Sequence, residues 1–244
     1  MNALLLAAIL ALPATQADTS YLYRTLLVRA APGSLLPVMN LYQQRLSVYD
    51  AGGAGTPFIM RHSQGDHWDL LLIFPMGTFS DYYSPEQISR RERAASQSGV
   101  SEAEFQRQLR EHISWQEEVF VRGPALDVTM AAVNGGSYYH VEMFLALPGK
   151  REELFEEREM ENAYLARLDR PQNLIFTRVA GAAWDLFTLG TYRDLKHYAE
   201  SADIPEERAQ EAALAAGFEG ADRIGTYLRT LSQRHNDTLG GRIR

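Results

Sequence analysis

Sliding the chain along itself by 116 residues brings two stretches into one register. Tyr23 meets Tyr139, Ala30 meets Ala146, and Pro32-Gly33 meets Pro148-Gly149. Further along, Ile59 meets Ile175, Gly65 meets Gly181, Trp68-Asp69-Leu70 meets Trp184-Asp185-Leu186, and Tyr82 meets Tyr198. These are ten identities without a gap over positions 20 to 83, where average composition gives about four by chance. The order weighs more than the count. A strand-like run, a Pro-Gly turn, a helix-like run and Gly-x-x-Trp-Asp-Leu occur twice in sequence, the signature of an internal duplication.

Local patterns give the repeat its plan. Tyr21 to Arg29 is aromatic, β-branched and apolar without a helical period, so it predicts a strand. After the Pro32-Gly33 turn, Leu35, Val38, Met39, Tyr42, Leu46 and Tyr49 follow a 3.6-residue spacing that ends at Gly52-Gly53. Phe58 to His62 and Trp68 to Phe74 predict two more strands, and a short helix follows around Phe79 to Tyr83. Ser84-Pro85-Glu86-Gln87 has the form of a capping box with proline at the first helical position, and Ser101-x-x-Glu104 opens another helix. The second half predicts strands at Tyr138 to Leu145, Leu174 to Arg178 and Trp184 to Leu189. Its helices are predicted at Arg151 to Leu168, around Leu195 to Tyr198, after Pro205, and at Ile224 to Gln233. The expected plan is strand–helix–strand–strand–helix, twice.

The strands do not alternate cleanly. Leu26-Leu27-Val28 and Leu70-Leu71-Leu72-Ile73-Phe74 are apolar at every position, so both faces of the sheet should be covered. Helices cover one face; the other repeat is the simplest cover for the second. The expected fold is α+β, with two tandem ferredoxin-like (β-α-β-β-α) repeats packing sheet to sheet into a barrel. The divisions expected are a signal peptide at 1–17, a first repeat at 18–130 and a second at 131–244. The leader rests on the ten-residue apolar run Ala3 to Leu12, on Pro13, and on small residues at Thr15 and Ala17. That run is too short to span a bilayer, which needs about 20 residues. The chain is therefore expected to be exported, with no membrane span after signal removal.

The paired segments, with Pro32-Gly33 and Pro148-Gly149 and with Trp68-Asp69 and Trp184-Asp185, resemble the dimeric α+β barrel superfamily in a duplicated single-chain form. Within it the chain is similar to NIPSNAP-type and related exported proteins. The resemblance implies a barrel whose members include small monooxygenases, haem-degrading enzymes, chlorite-dismutase-like haem proteins and proteins without known activity. Fold does not choose among them.

Composition removes other classes. Of 244 residues, none is cysteine, so thiol chemistry, disulfides and thiolate zinc sites are excluded. A net charge of −7 argues against a nucleic-acid partner. No P-loop, GxGxxG, HExxH or GxSxG pattern occurs.

Polar residues inside doubly covered strands are costly unless paired or used. Arg24 and His140 occupy equivalent positions, and Glu142 shares a strand face with His140. Converging in the barrel interior, the three would orient an anionic ligand and move a proton; the alternative is a structural pair at the strand ends. His62 and Arg178 form a second equivalent pair. His62, Asp66, His67 and Asp69 match no metal-ligand spacing and have Arg178, Ala182 and Ala183 among their counterparts, so no metal is expected. Trp68-Asp69 and Trp184-Asp185 predict a core tryptophan and a turn-forming carboxylate. Arg158 and Asn162 fall where Tyr42 and Leu46 lie in the first repeat and need partners, whereas the six glutamates from Glu152 to Glu161 predict a solvated face. His235-Asn236-Asp237, expected to follow a helix, would supply an axial histidine if the chain held haem; no cofactor is otherwise expected. Three functions stay open: binding a small, partly apolar ligand between the sheets; an oxidoreductase or lyase, monooxygenase-like or haem-dependent; or a module that assembles, as a homo-oligomer, through sheet edges.

Overall fold

The computed structural model describes residues 21–243; the leader expected at 1–17 lies outside the described residues. The first half runs β1 (Tyr21–Ala30), α1 (Leu35–Ala51), β2 (Phe58–Gln64), β3 (Leu70–Gly77), α2 (Phe79–Tyr82), α3 (Pro85–Gln97), α4 (Glu102–His112) and β4 (Ile113–Gly123). A connecting helix α5 (Leu126–Gly135) leads to the second half. There the order is β5 (Tyr138–Ala146), α6 (Arg151–Arg167), β6 (Leu174–Gly181), β7 (Leu186–Tyr192), α7 (Leu195–Ala199), α8 (Glu206–Ala215), α9 (Ile224–Leu231) and β8 (Ser232–Arg242). The caps form as the sequence requires: Ser84 Oγ accepts from the Gln87 N–H at 3.3 Å, and Ser101 Oγ from the Glu104 N–H at 3.2 Å.

The eight strands close into an antiparallel barrel in the order β1-β3-β2-β8-β5-β7-β6-β4. Each half carries one strand more than the expected β-α-β-β-α plan, and these extra strands make the closure. β4 pairs with β1 of its own half and with β6 of the other; β8 pairs with β5 of its own half and with β2 of the other. Helices α4 and α9 pass into them without a turn, since their capping residues Ile113 and Ser232 are already extended. His235-Asn236-Asp237 therefore lies in a strand, not at a helix end. Because the barrel closes, no described strand is left unpaired along a whole side, and any assembly through sheet edges has only short stretches to use, such as 113–117 of β4.

One core fills the barrel. Tyr23, Leu27, Phe58, Met60, Trp68, Leu71, Val121, Tyr139, Met143, Phe176, Trp184 and Phe187 are all buried in it, drawn from both halves. Burying one such side chain contributes about 1.5–3 kcal/mol, so the shared interior is the main stabilising element. Helix α5 packs on one end of this core through Leu126, Met130 and Val133. Tyr23 Oη donates to Pro124 O at 2.8 Å, and its repeat counterpart Tyr139 donates to Val133 O at 2.8 Å. Outside the barrel, α1 and α4 cover the first half's sheet over Leu26, Val28 and Leu72, and α6 and α9 cover the second half's.

The recurring Trp-Asp is a latch between strands, as its repetition predicts. Asp69 Oδ2 accepts from the Ala30 N–H at 2.8 Å, and Asp185 Oδ2 from the Ala146 N–H at 3.0 Å. The recurring glycines mark the two seams. Gly65 (φ +124°) faces Asp237 and Gly181 (φ +104°) faces Glu118; a Cβ would stand 2.2 Å and 2.5 Å from the respective carbonyl oxygens.

Candidate functional site

On β1 and β5 the interior takes Tyr23 and Leu27, and Tyr139, Val141 and Met143. Arg24, His140 and Glu142 have the opposite parity, so they face outward toward the helices rather than converging inside the barrel. Arg24 lies over the Phe74 ring at 4.5 Å and pairs with Glu118 at 3.7 Å. His140 and Glu142 lie in the other half, so the structure brings together two of these three residues. The other expected pair also divides. Arg178 is bound to Asp185 at 2.6 Å, a structural tie at the second latch. His62 packs against Trp68, with ring centroids 5.9 Å apart, and burial lowers its pKa against the pull of Asp69 and Asp66.

Around Glu142 the second half buries a charged cluster where the first half is apolar. Glu142, Arg158 and Thr188 stand at the repeat positions of Leu26, Tyr42 and Leu72. Arg158, from α6, is 2% exposed and Glu157 is fully buried. The guanidinium grips Glu157 through Nε at 2.5 Å and Nη2 at 2.6 Å, binds Glu161, and reaches Glu142 Oε1 at 3.5 Å. Two of the six glutamates expected to be solvated are thus part of this cluster. Thr188 Oγ1 donates to Glu142 Oε2 at 2.9 Å. Asn162 finds its partner in the backbone of Asn173, at 2.9 and 2.7 Å.

Strand β8 supplies the rest. Asp237 lies directly opposite Glu142 in the ladder and His235 opposite Phe144. His140 Nε2 is 2.9 Å from Asp237 Oδ1; His235 Nε2 is 3.3 Å from Glu142 Oε1 and 3.5 Å from Asp237 Oδ1. Burial pushes the Glu142 carboxyl up, but His235, Arg158 and His140 outweigh it and hold it at about 2. Burial pulls His140 down, and its bond to Asp237 with the charge of Glu142 more than restores it, so its pKa is raised. Burial pushes Glu161 up to about 7, against Arg158.

A second feature lies inside the barrel, at the end away from α5. A cavity of about 270 Å³ is lined by Leu27, Trp115, Glu117, Met143, Trp184 and Arg234, with Asp66, His67 and Asn236 also on its wall. The lining straddles the repeat: Leu27 and Met143 are counterparts, as are Trp115 and Arg234, and Glu117 and Asn236. Trp184 Nε1 donates to Glu117 Oε1 at 2.8 Å. Asn236 Nδ2 donates instead to Asp66 Oδ2 at 2.8 Å, and Asp66 also holds His67 at 2.7 Å. Hence Asp66 and His67 belong to the cavity rim while Asp69 serves the latch. The sequence pointed to neither Glu117 nor Arg234, because the strands that carry them escaped its strand pattern; the two halves' tails align only at an offset of 119.

No protein-family model matches the sequence, and no curated protein matches it. Among solved structures, an anthrone oxidase-like protein superposes over 93% of this chain and 93% of its own, with TM-score 0.57 and 11% identity. A protein of Fusobacterium nucleatum provisionally described as a monooxygenase covers 93% of this chain and 94% of its own, with TM-score 0.51 and 9% identity. Another so described, from Lactobacillus acidophilus, covers 91% and 94%, with TM-score 0.50 and 7% identity. At these identities the likeness is one of fold: a single-chain α+β barrel of two ferredoxin-like repeats.

Proposed function

We propose that the chain binds a small, partly apolar molecule in the barrel-end cavity, between the sheets of its two halves, and does so as an exported NIPSNAP-type protein. The observation that carries this reading is the cavity's lining. Apolar and aromatic walls from both halves (Leu27, Met143, Trp115, Trp184) meet a few polar groups (Glu117, Arg234, Asn236), the usual make-up of a small-molecule site. Its volume of about 270 Å³ suits a one-ring or short-chain ligand. The test is a ligand-observed NMR screen of one-ring aromatic acids and amines, beside native mass spectrometry of the purified protein. Binders or a co-purifying mass are expected in the parent chain and lost in Met143→Trp, which fills the cavity, with the far-UV spectrum unchanged. Equal binding by Met143→Trp, or none by the parent, overturns the reading.

An oxidoreductase acting at the same cavity is the second reading, favoured by the likeness to the anthrone oxidase-like protein. Haem does not fit at the histidines of the second half, where His235 is the expected axial ligand. An axial histidine needs an open slot beside its ring for the macrocycle. The Nε2 atoms of His140 and His235 stand among the side chains of Glu142 and Asp237, and the ring of His235 lies flat on Phe144, 4.5 Å between centroids, which leaves a macrocycle no room. The Arg158 cluster fills the space between α6 and the sheet.

A further inference from the structure

We infer that His140, Glu142, His235 and Asp237 form a binding site for a divalent first-row transition metal on the outer face of the second half. Four donor groups of two kinds come from two adjacent strands. The donor atoms of His140, Glu142 and Asp237 lie within 4.8 Å of one another. His235 Nε2 closes the group, at 3.3 Å from Glu142 and 3.5 Å from Asp237. Donors bound to one ion at about 2.0–2.2 Å stand roughly 3–3.5 Å apart, so the spacings of His235 to Glu142 and to Asp237 already match, and side-chain rotation at His140 and Glu142 closes the rest.

Charge makes the same demand. Glu142 and Asp237 are directly opposed on neighbouring strands, an arrangement in which like charges repel. Arg158 answers only part of it, since that guanidinium is held by Glu157 and Glu161 and touches Glu142 at 3.5 Å; the imidazoles of His140 and His235 supply the rest, at the place a divalent ion would take. The first half shows what the position looks like without the demand. There Leu26 replaces Glu142, Gln116 replaces His235, and Arg24 replaces His140 and itself faces the carboxylate of Glu118. The second half has given up that built-in cation for an imidazole and gained a carboxylate.

The surroundings orient the donors, as outer contacts of a metal site do. Thr188 donates to the remaining oxygen of Glu142, Phe144 stacks on His235, and Tyr198 packs on His140 with ring centroids 5.5 Å apart. The Asp237 side chain is 55% exposed and that of Glu142 is 9%, so the site is open on one side and leaves room for a water or a ligand atom. Two imidazoles with two carboxylates suit Zn²⁺, Fe²⁺, Co²⁺ or Ni²⁺ better than Mg²⁺ or Ca²⁺, which prefer all-oxygen sites.

The test is titration of the tag-free, chelator-treated chain with Co²⁺, followed by its visible ligand-field absorption, and with Zn²⁺ by competition against a chromophoric chelator. One equivalent is expected to bind, with a cobalt band reporting imidazole coordination. Asp237→Asn, at an exposed position where folding is not at stake, and His140→Ala should each weaken binding by about tenfold or more. His62→Ala should leave affinity unchanged. The inference is overturned if no equivalent binds, or if Asp237→Asn and His140→Ala bind as the parent does.

Discussion

Three carboxylates share the guanidinium of Arg158, and unequally. Glu142 is held down at about 2, whereas Glu161 is pushed up from its ordinary 4.5 to about 7 by burial. The sign for Glu161 follows from linkage. Between pH 4.5 and about 7 the folded chain keeps a proton that the unfolded chain releases, so stability falls as pH rises through that window. The loss from this group is on the order of 1–3 kcal/mol. Urea unfolding from pH 5 to 8, with a chelator present, should show Glu161→Gln to have a flatter profile and to be the more stable chain above pH 7. A Glu161→Gln chain less stable than the parent at pH 8 would mean that the ionised carboxylate is worth more to Arg158 than its burial costs. At this scale the sequence was half legible. A polar pair two residues apart in an apolar strand pointed to His140 and Glu142. Their partners Asp237 and Thr188 lie 95 and 46 positions beyond Glu142, and no local pattern signals contacts made only by the barrel.

Seam geometry decides the elements. Gly65 and Gly181 stand where β2 meets β8 and β6 meets β4, with positive φ and the opposing backbone too close for any side chain. Gly65→Ala and Gly181→Ala should each cost more than about 2 kcal/mol, through left-handed strain and displaced pairing. Gly33→Ala shares the positive φ but meets nothing within 4 Å, and should cost only about 1 kcal/mol. Chemical denaturation of the three variants checks the ranking, and equal losses would place the whole effect in φ. The same seams explain the two strands that pattern did not reveal. β8 reads Ser-Gln-Arg-His-Asn-Asp-Thr-Leu-Gly-Gly-Arg, a composition that disfavours strands, and it is extended because β5 and β2 pair with it on either side. β4 does alternate, but it follows α4 without a turn residue to announce it. β1, β3, β5 and both latches were legible because their signals are local: apolar runs, Pro-Gly turns and Trp-Asp pairs.

Over the whole molecule, the interior belongs to both halves at once. Trp68 and Trp184, one from each half, are buried in the same core. Trp68→Phe and Trp184→Phe chains, each followed by the fluorescence of the tryptophans that remain, should unfold in a single transition that coincides with loss of far-UV dichroism. Two separated midpoints would mean that the halves hold together independently. The shared interior also constrains how the two copies can differ. Inward pairs such as Tyr23 with Tyr139 and Trp68 with Trp184 are still identical, while outward pairs such as Leu26 with Glu142, Tyr42 with Arg158 and Leu72 with Thr188 have parted company. A closed barrel made of duplicates thus keeps its middle greasy, even where Leu27 is matched by Met143 and Met60 by Phe176, and lets charge in at two places: the barrel end, where Arg234 answers Trp115, and the space under the second half's helices.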